Sequence, residues 1–198
     1  EVSTLVGDSD NLFGNSVDTG TYHGSDVTRQ KDSFVVRPVV AWTGQALSVA
    51  VGAETNLVSD AYVLTGTDTS VSERNGVGST ATWTVNSDLA LTLRGAYLDA
   101  VDETDYSVGP SMQYKNFFLS YIFANNDITE GDTAATDSSA DIHTVYSSYK
   151  FTNVMDMDNF DVYLGAYWSQ LQPQDGFGGL NDENQDRYGG KVRFKYYF

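Results

Sequence analysis

Arg37, Arg94 and Arg193 stand in three separate stretches of alternating polar and apolar residues. Each lies five residues from the residue that closes its stretch on one side, namely Trp42, Leu89 and Phe198. At about 3.3 Å per extended residue, three guanidinium groups at that spacing reach nearly one level if the closing residues are aligned. Fixed cations around the bore of a tube bias which ions enter, so the spacing suits an anion-preferring constriction. Lys115, Lys150 and Lys195 form a second basic tier nearer the closing residues, and Lys191 shares their parity. Tyr146, Tyr163 and Tyr167 fall on this same face, where rings either offer a stacking surface to sugars or simply fill the interior. Glu54 and Asp161 are the acids of that parity. Pairing them with the bases would give the opposite outcome, a filled and closed lumen.

Other chemistry is thinly represented. The two histidines, His23 and His143, are the only side chains whose ordinary titration falls near neutrality. His143 stands close to Asp141 on the apolar parity, and no serine is tied to it by spacing. There is no phosphate-binding loop, no zinc spacing and no nucleotide fingerprint, so no enzyme is expected. Acids gather between the alternating stretches, as in Asp99-Ala-Val-Asp-Glu-Thr-Asp105 and around Asp127, Glu130, Asp132 and Asp137. Such oxygens suit Ca²⁺ or Mg²⁺, but the spacing lacks the glycine of an EF-hand loop. A solvated, repulsive surface is the preferred reading, and no cofactor is expected.

These side chains need strands to hold them. The chain of 198 residues carries a formal charge of −16, abundant glycine and tyrosine, little proline and no cysteine. The charge argues against nucleic acid as a partner. No run approaches the roughly 18 apolar residues of a membrane helix. Alternating runs of about ten residues occupy 33–42, 46–55, 76–85, 89–98, 105–115, 117–125, 141–152, 160–170 and 188–198. Short turns follow residues 42, 85, 115 and 152, and long loops are expected at 56–75, 99–104, 126–140 and 171–185. That sorting of connections is the habit of outer-membrane barrels, with turns on the periplasmic side and loops outside. Residues 1–32 supply the tenth strand, from either 1–6 or 16–24. A secretory signal is expected to have been removed already, since no basic segment and apolar run opens the chain.

Parity decides between a soluble sandwich and a membrane barrel. Phe34, Leu47, Trp83, Leu91, Tyr106, Leu119, Tyr149, Leu164 and Phe194 share one face with mostly Val, Leu, Ala and aromatic neighbours. The basic residues named above share the other. An outward charge at mid-bilayer costs on the order of 2–4 kcal/mol, which gives the sorting a physical cause. Aromatic residues near strand ends, including Trp42, Tyr97, Phe117, Phe151, Phe160, Trp168 and Phe198, suit the interfacial girdles.

The terminal Gly190-Lys-Val-Arg-Phe-Lys-Tyr-Tyr-Phe198 resembles the C-terminal signature of Gram-negative outer-membrane proteins, an alternating strand closed by Phe. The resemblance implies recognition by the barrel-assembly machinery. In size and basic lumen the chain is similar to small monomeric porins typified by the oligogalacturonate-specific family, although those have twelve strands and more arginine. The expectation is one domain over 1–198, an all-β, closed antiparallel transmembrane β-barrel of ten strands, with twelve as the alternative count. It lies in outer-membrane lipid and passes small solutes. The competing reading is a closed structural or interaction barrel, whose acidic loops bind a partner, lipopolysaccharide through divalent cations, or like subunits as a homo-oligomer.

Overall fold

In the computed structural model the described residues are 2–6, 19–131, 134 and 136–197, with backbone only for 2–6 and 19. Asp132 and Phe198 therefore lie outside them. Numbered in chain order, ten strands form one antiparallel sheet: β1 (Val2–Val6), β4 (Phe34–Thr43), β5 (Leu47–Asn56), β7 (Arg74–Thr84), β8 (Leu89–Ala100), β9 (Glu103–Tyr114), β10 (Phe117–Ile128), β11 (Ser138–Phe151), β12 (Phe160–Gln174) and β13 (Gln185–Tyr196). Three short strands, β2 (Thr19–Tyr22), β3 (Ser25–Arg29) and β6 (Tyr62–Leu64), make a separate small sheet. Of the two segments expected to supply a tenth strand, the first does so. Residues 19–24 of the second enter the small sheet and its turn, and 16–18 lie outside the described residues.

β1 pairs with β4 and β13 with β12, and neither edge pairs with the other among the described residues. The expected all-β antiparallel order is present, but a closed seam is not seen. The ladder is nevertheless staggered. Thr43, at the last position of β4, aligns through Ser48, Thr82, Thr92, Ser111, Ser120, Tyr146 and Tyr167 with Gly189. Gly189 stands seven residues before Tyr196, the last residue of β13.

The turns explain the hairpins. Asn86 bends the 85–88 turn by accepting the backbone N–H groups of Asp88 and Leu89 on its Oδ1, at 2.9 and 3.0 Å. Such a side chain closes its own turn. Gly44 donates to the Leu47 carbonyl at 2.8 Å. Two expectations need correcting. Residues 99–104 are no long loop: β8 and β9 meet in a two-residue turn at 101–102, where Asp102 has φ 55°. Lys115 is not in a strand but in the next turn, at φ 49°, where its ammonium lies 3.6 Å from Asp88. Alternation could not show either, because strands that rise past the lipid into water keep pairing without alternating.

The register sorts the faces. Leu47, Trp83, Leu91, Met112 and Leu119 align on one side, as do Leu164 with Val192 and Val162 with Phe194. Trp42 and Phe194 on this side are 58 % and 66 % exposed, so the face has no protein core over it. On the same face Trp42, Trp83, Tyr114 and Tyr149 mark the short-turn end, and Tyr97, Tyr106 and Trp168 mark the other. Along β9, Tyr114 and Tyr106 stand eight residues apart, about 26 Å of strand. The opposite face is concave: residues of β4 and of β11, seven ladder positions along the sheet counting both, line a single cavity of about 540 Å³.

Candidate pore wall

The concave face has two unlike halves. From β4 to β10 its lining includes Ala50, Gly52, Gly78, Ala96, Gly109 and Ala124 beside Val39, Leu98 and Ile122. The short side chains leave the 540 Å³ cavity and a neighbouring one of about 470 Å³. From β11 to β13 the wall is bulky, carrying Tyr146, Tyr163, Tyr167, Lys150, Lys191, Arg193 and Lys195.

Every basic residue within the ten sheet strands is on this concave face: Arg37, Arg74, Arg94, Lys150, Arg187, Lys191, Arg193 and Lys195. Arg74 and Arg187 were not among the expected site residues, because Arg74 stood in a stretch read as loop and Arg187 just ahead of the expected terminal strand. The outward charges of these strands are acids near the long-loop end: Asp99, Asp127, Asp141 and Asp186. Water inside and lipid outside would produce this division.

Local pairing divides the bases into two kinds. Glu54 bridges two of them, with Arg37 Nε at 2.5 Å and Arg74 Nε at 3.1 Å. Asp161, only 5 % exposed, is held by Lys150 at 2.8 Å. Lys195 stands 5.6 Å from the centre of the Tyr163 ring, with Lys150 on the same ring at 5.8 Å. Arg94 donates through Nη1 to Ser111 Oγ at 3.3 Å. Among the described residues, no carboxylate lies within ion-pair distance of Arg94, Arg187, Lys191 or Arg193. Counted from the short-turn ends of their strands, Arg37 is six residues in, Arg94 five and Arg193 three. The first two thus lie within about 3 Å of one level, and Arg193 lies lower.

Acids line the long-loop end of the same face. Asn126 Nδ2 donates to Glu103 Oε1 at 2.6 Å and also to Asp105. Both acids belong to β9, and Glu103 lies in the part mistaken for a loop. The β2–β3 hairpin leans onto this turn: Tyr22 donates its hydroxyl to the Val101 carbonyl at 2.7 Å, and His23 Nε2 lies 3.3 Å from Glu103. Burial pushes the Tyr22 phenol above its ordinary range. In the adjacent loop, a hydrogen bond from Lys31 holds the Asp60 carboxyl below its ordinary range. His143 faces outward and its Nδ1 lies 2.7 Å from the Tyr121 hydroxyl. Among the described residues, no three His, Asp or Glu side chains converge as a cation site.

A sheet with bases turned inward, apolar residues turned outward and aromatic residues near both ends has the wall chemistry of a membrane pore. Comparison with known proteins agrees. The family model described as porin-like glycoporin RafY matches residues 1–198, the whole chain. No curated protein and no solved structure matches it. The chain belongs to the porin-like glycoporin family and is an outer-membrane channel protein of the Gram-negative type.

Proposed function

We propose that the ten strands close into a barrel through β1 and β13, and that the barrel passes small hydrophilic solutes with a preference for anions. The observation that carries the preference is the set of unpaired inward bases, Arg94, Arg187, Lys191 and Arg193, against inward acids that mostly have partners of their own. Fixed charge of one sign along a narrow bore raises the concentration of the opposite ion. Arg37 and Arg94 make the upper part of the constriction and Arg193 the lower, with Lys150, Lys191 and Lys195 below and beside them. Lys115, at the turn, belongs to the mouth.

Closure is supported by three features. β1 runs toward the long loops and β13 away from them, so the pair meets in antiparallel fashion. An open sheet edge in lipid leaves backbone groups unsatisfied at several kcal/mol each, which closure removes. The stagger fits as well. Seven residues over eight ladder steps is a rise of about 23 Å across about 38 Å, a slope near 30°. Barrel strands tilt by roughly 35–45° for this reason. The short turns then face the periplasm and the acidic loops the exterior.

The test is single-channel recording of the reconstituted protein in a planar bilayer under a KCl gradient. Steady openings with a reversal potential on the chloride side, moved toward potassium by Arg94→Glu, are expected. Openings that select potassium in the unaltered protein would contradict the anion preference. A protein that inserts and never conducts would contradict the open lumen.

A further inference from the structure

Two tyrosine rings of the concave face lie in notches made by glycines of the next strand. A Cβ added to Gly165 would stand 2.7 Å from the Tyr146 hydroxyl oxygen and 3.2 Å from its Cε2 and Cζ. One added to Gly189 would stand 2.8 Å from Tyr167 Cε1 and 3.1 Å from its Cζ. Carbon atoms pack at about 3.5–4.0 Å, so neither ring keeps its place beside a methyl group. Neither glycine has a positive φ. What requires glycine at these positions is therefore room, not backbone conformation. Tyr146 is held from its other side by Phe118, with ring centres 5.9 Å apart.

These notches matter because of their level. Tyr146 lies five residues from Phe151 at the end of β11, as Arg94 lies five from Leu89 at the end of β8. The Tyr146 ring therefore stands near the height of Arg94. Tyr167, seven residues from Phe160 at the start of β12, lies about two residues farther from the short turns. Both are opposite the half of the wall lined largely by glycine and alanine. A tyrosine has two side-chain torsions, and a ring denied its notch turns about the first of them, away from the wall and into the lumen.

We infer that Gly165 and Gly189 set the bore of the channel by letting Tyr146 and Tyr167 lie flat against the β11–β13 wall. The inference rests on the channel reading and adds which residues fix the largest solute admitted. Methyl groups at both positions lift two rings into the narrow section, and the solutes excluded first are the bulkiest.

Single-channel conductance, together with liposome swelling in saccharides of graded size, tests this. Gly165→Ala and Gly189→Ala combined should lower conductance roughly twofold, because the ions lose cross-section at the narrowest level. Swelling rates should fall more for a trisaccharide than for a monosaccharide. Adding Tyr146→Ala and Tyr167→Ala to the same protein should restore both readings to the original value or above. Alanine variants that conduct and sieve as the unaltered protein would overturn the inference and leave the channel reading standing. The tyrosine replacements alone, on native glycines, serve if the alanine variants do not fold. Flat rings predict a small gain in conductance, whereas a several-fold gain would show that the rings already fill the bore. An unaltered protein that never conducts would remove the channel reading and this inference with it.

Discussion

Glu54 lies between the Arg37 and Arg74 guanidinium groups and cancels much of their field. Replacing it with Gln keeps the shape and removes the charge. Glu54→Gln is expected to raise the chloride-to-potassium permeability ratio roughly twofold, read from the reversal potential, because two inward cations then act on the bore. Asp161 carries a different role. It is nearly buried and anchors Lys150, so Asp161→Ala leaves the ammonium without its partner beside Lys195. A cost of about 1–3 kcal/mol is expected in urea unfolding from lipid vesicles. At this scale the sequence was readable for side-chain direction and for Glu54 and Asp161 as the inward acids able to pair, but not for which bases each takes. Parity alone placed Arg37, Arg94, Lys150 and Arg193 on one face. It did not show that Glu54 is shared by two arginines or that Glu103 and Asp105 line the same face, because those contacts depend on register.

At the scale of the strand, alternation carries the account. Leu93 is outward and 53 % exposed, whereas Ala124 lines the 540 Å³ cavity. Leu93→Arg should cost about 2–4 kcal/mol in a bilayer. Ala124→Arg, pointing toward water and the acids of β9, should stay within about 0.5 kcal/mol of the unaltered protein. Equal costs at the two sites, measured by the same urea titration, would mean that the two faces do not meet different solvents. The membrane-level segments were legible because each residue there must choose oil or water. The strand extensions at Asn126–Ile128, Ser138–Ala140 and Leu171–Gln174 were not, since both faces meet water there and the chain is free to use polar residues throughout. The same freedom disguised the tight turn at 101–102 as part of an acidic loop.

At the scale of the molecule, opposite signs are separated along the axis: acids crowd the long loops while bases line the interior. The outer acids repel an approaching anion over roughly the Debye length, about 10 Å at 0.1 M salt and about 30 Å at 0.01 M. Anion flux normalised to bulk conductivity should therefore rise with ionic strength when anions enter from the loop side. A flux ratio independent of salt would show that the loops do not control entry. The order of the main-sheet strands was largely readable from spacing, but the small sheet β2-β3-β6 and the seam were not. Closure depends on two edges far apart in the chain, and the alternation of either edge says nothing about its partner. The central claim is that one face of every sheet strand meets lipid and the other meets water. The chain has no cysteine, so adjacent positions can be probed singly in reconstituted vesicles. A membrane-impermeant thiol reagent should label Ala50→Cys, which lines the 470 Å³ cavity, and should leave Val51→Cys, on the outward face, unlabelled. Equal labelling of the two, or labelling of Val51→Cys alone, would contradict the account.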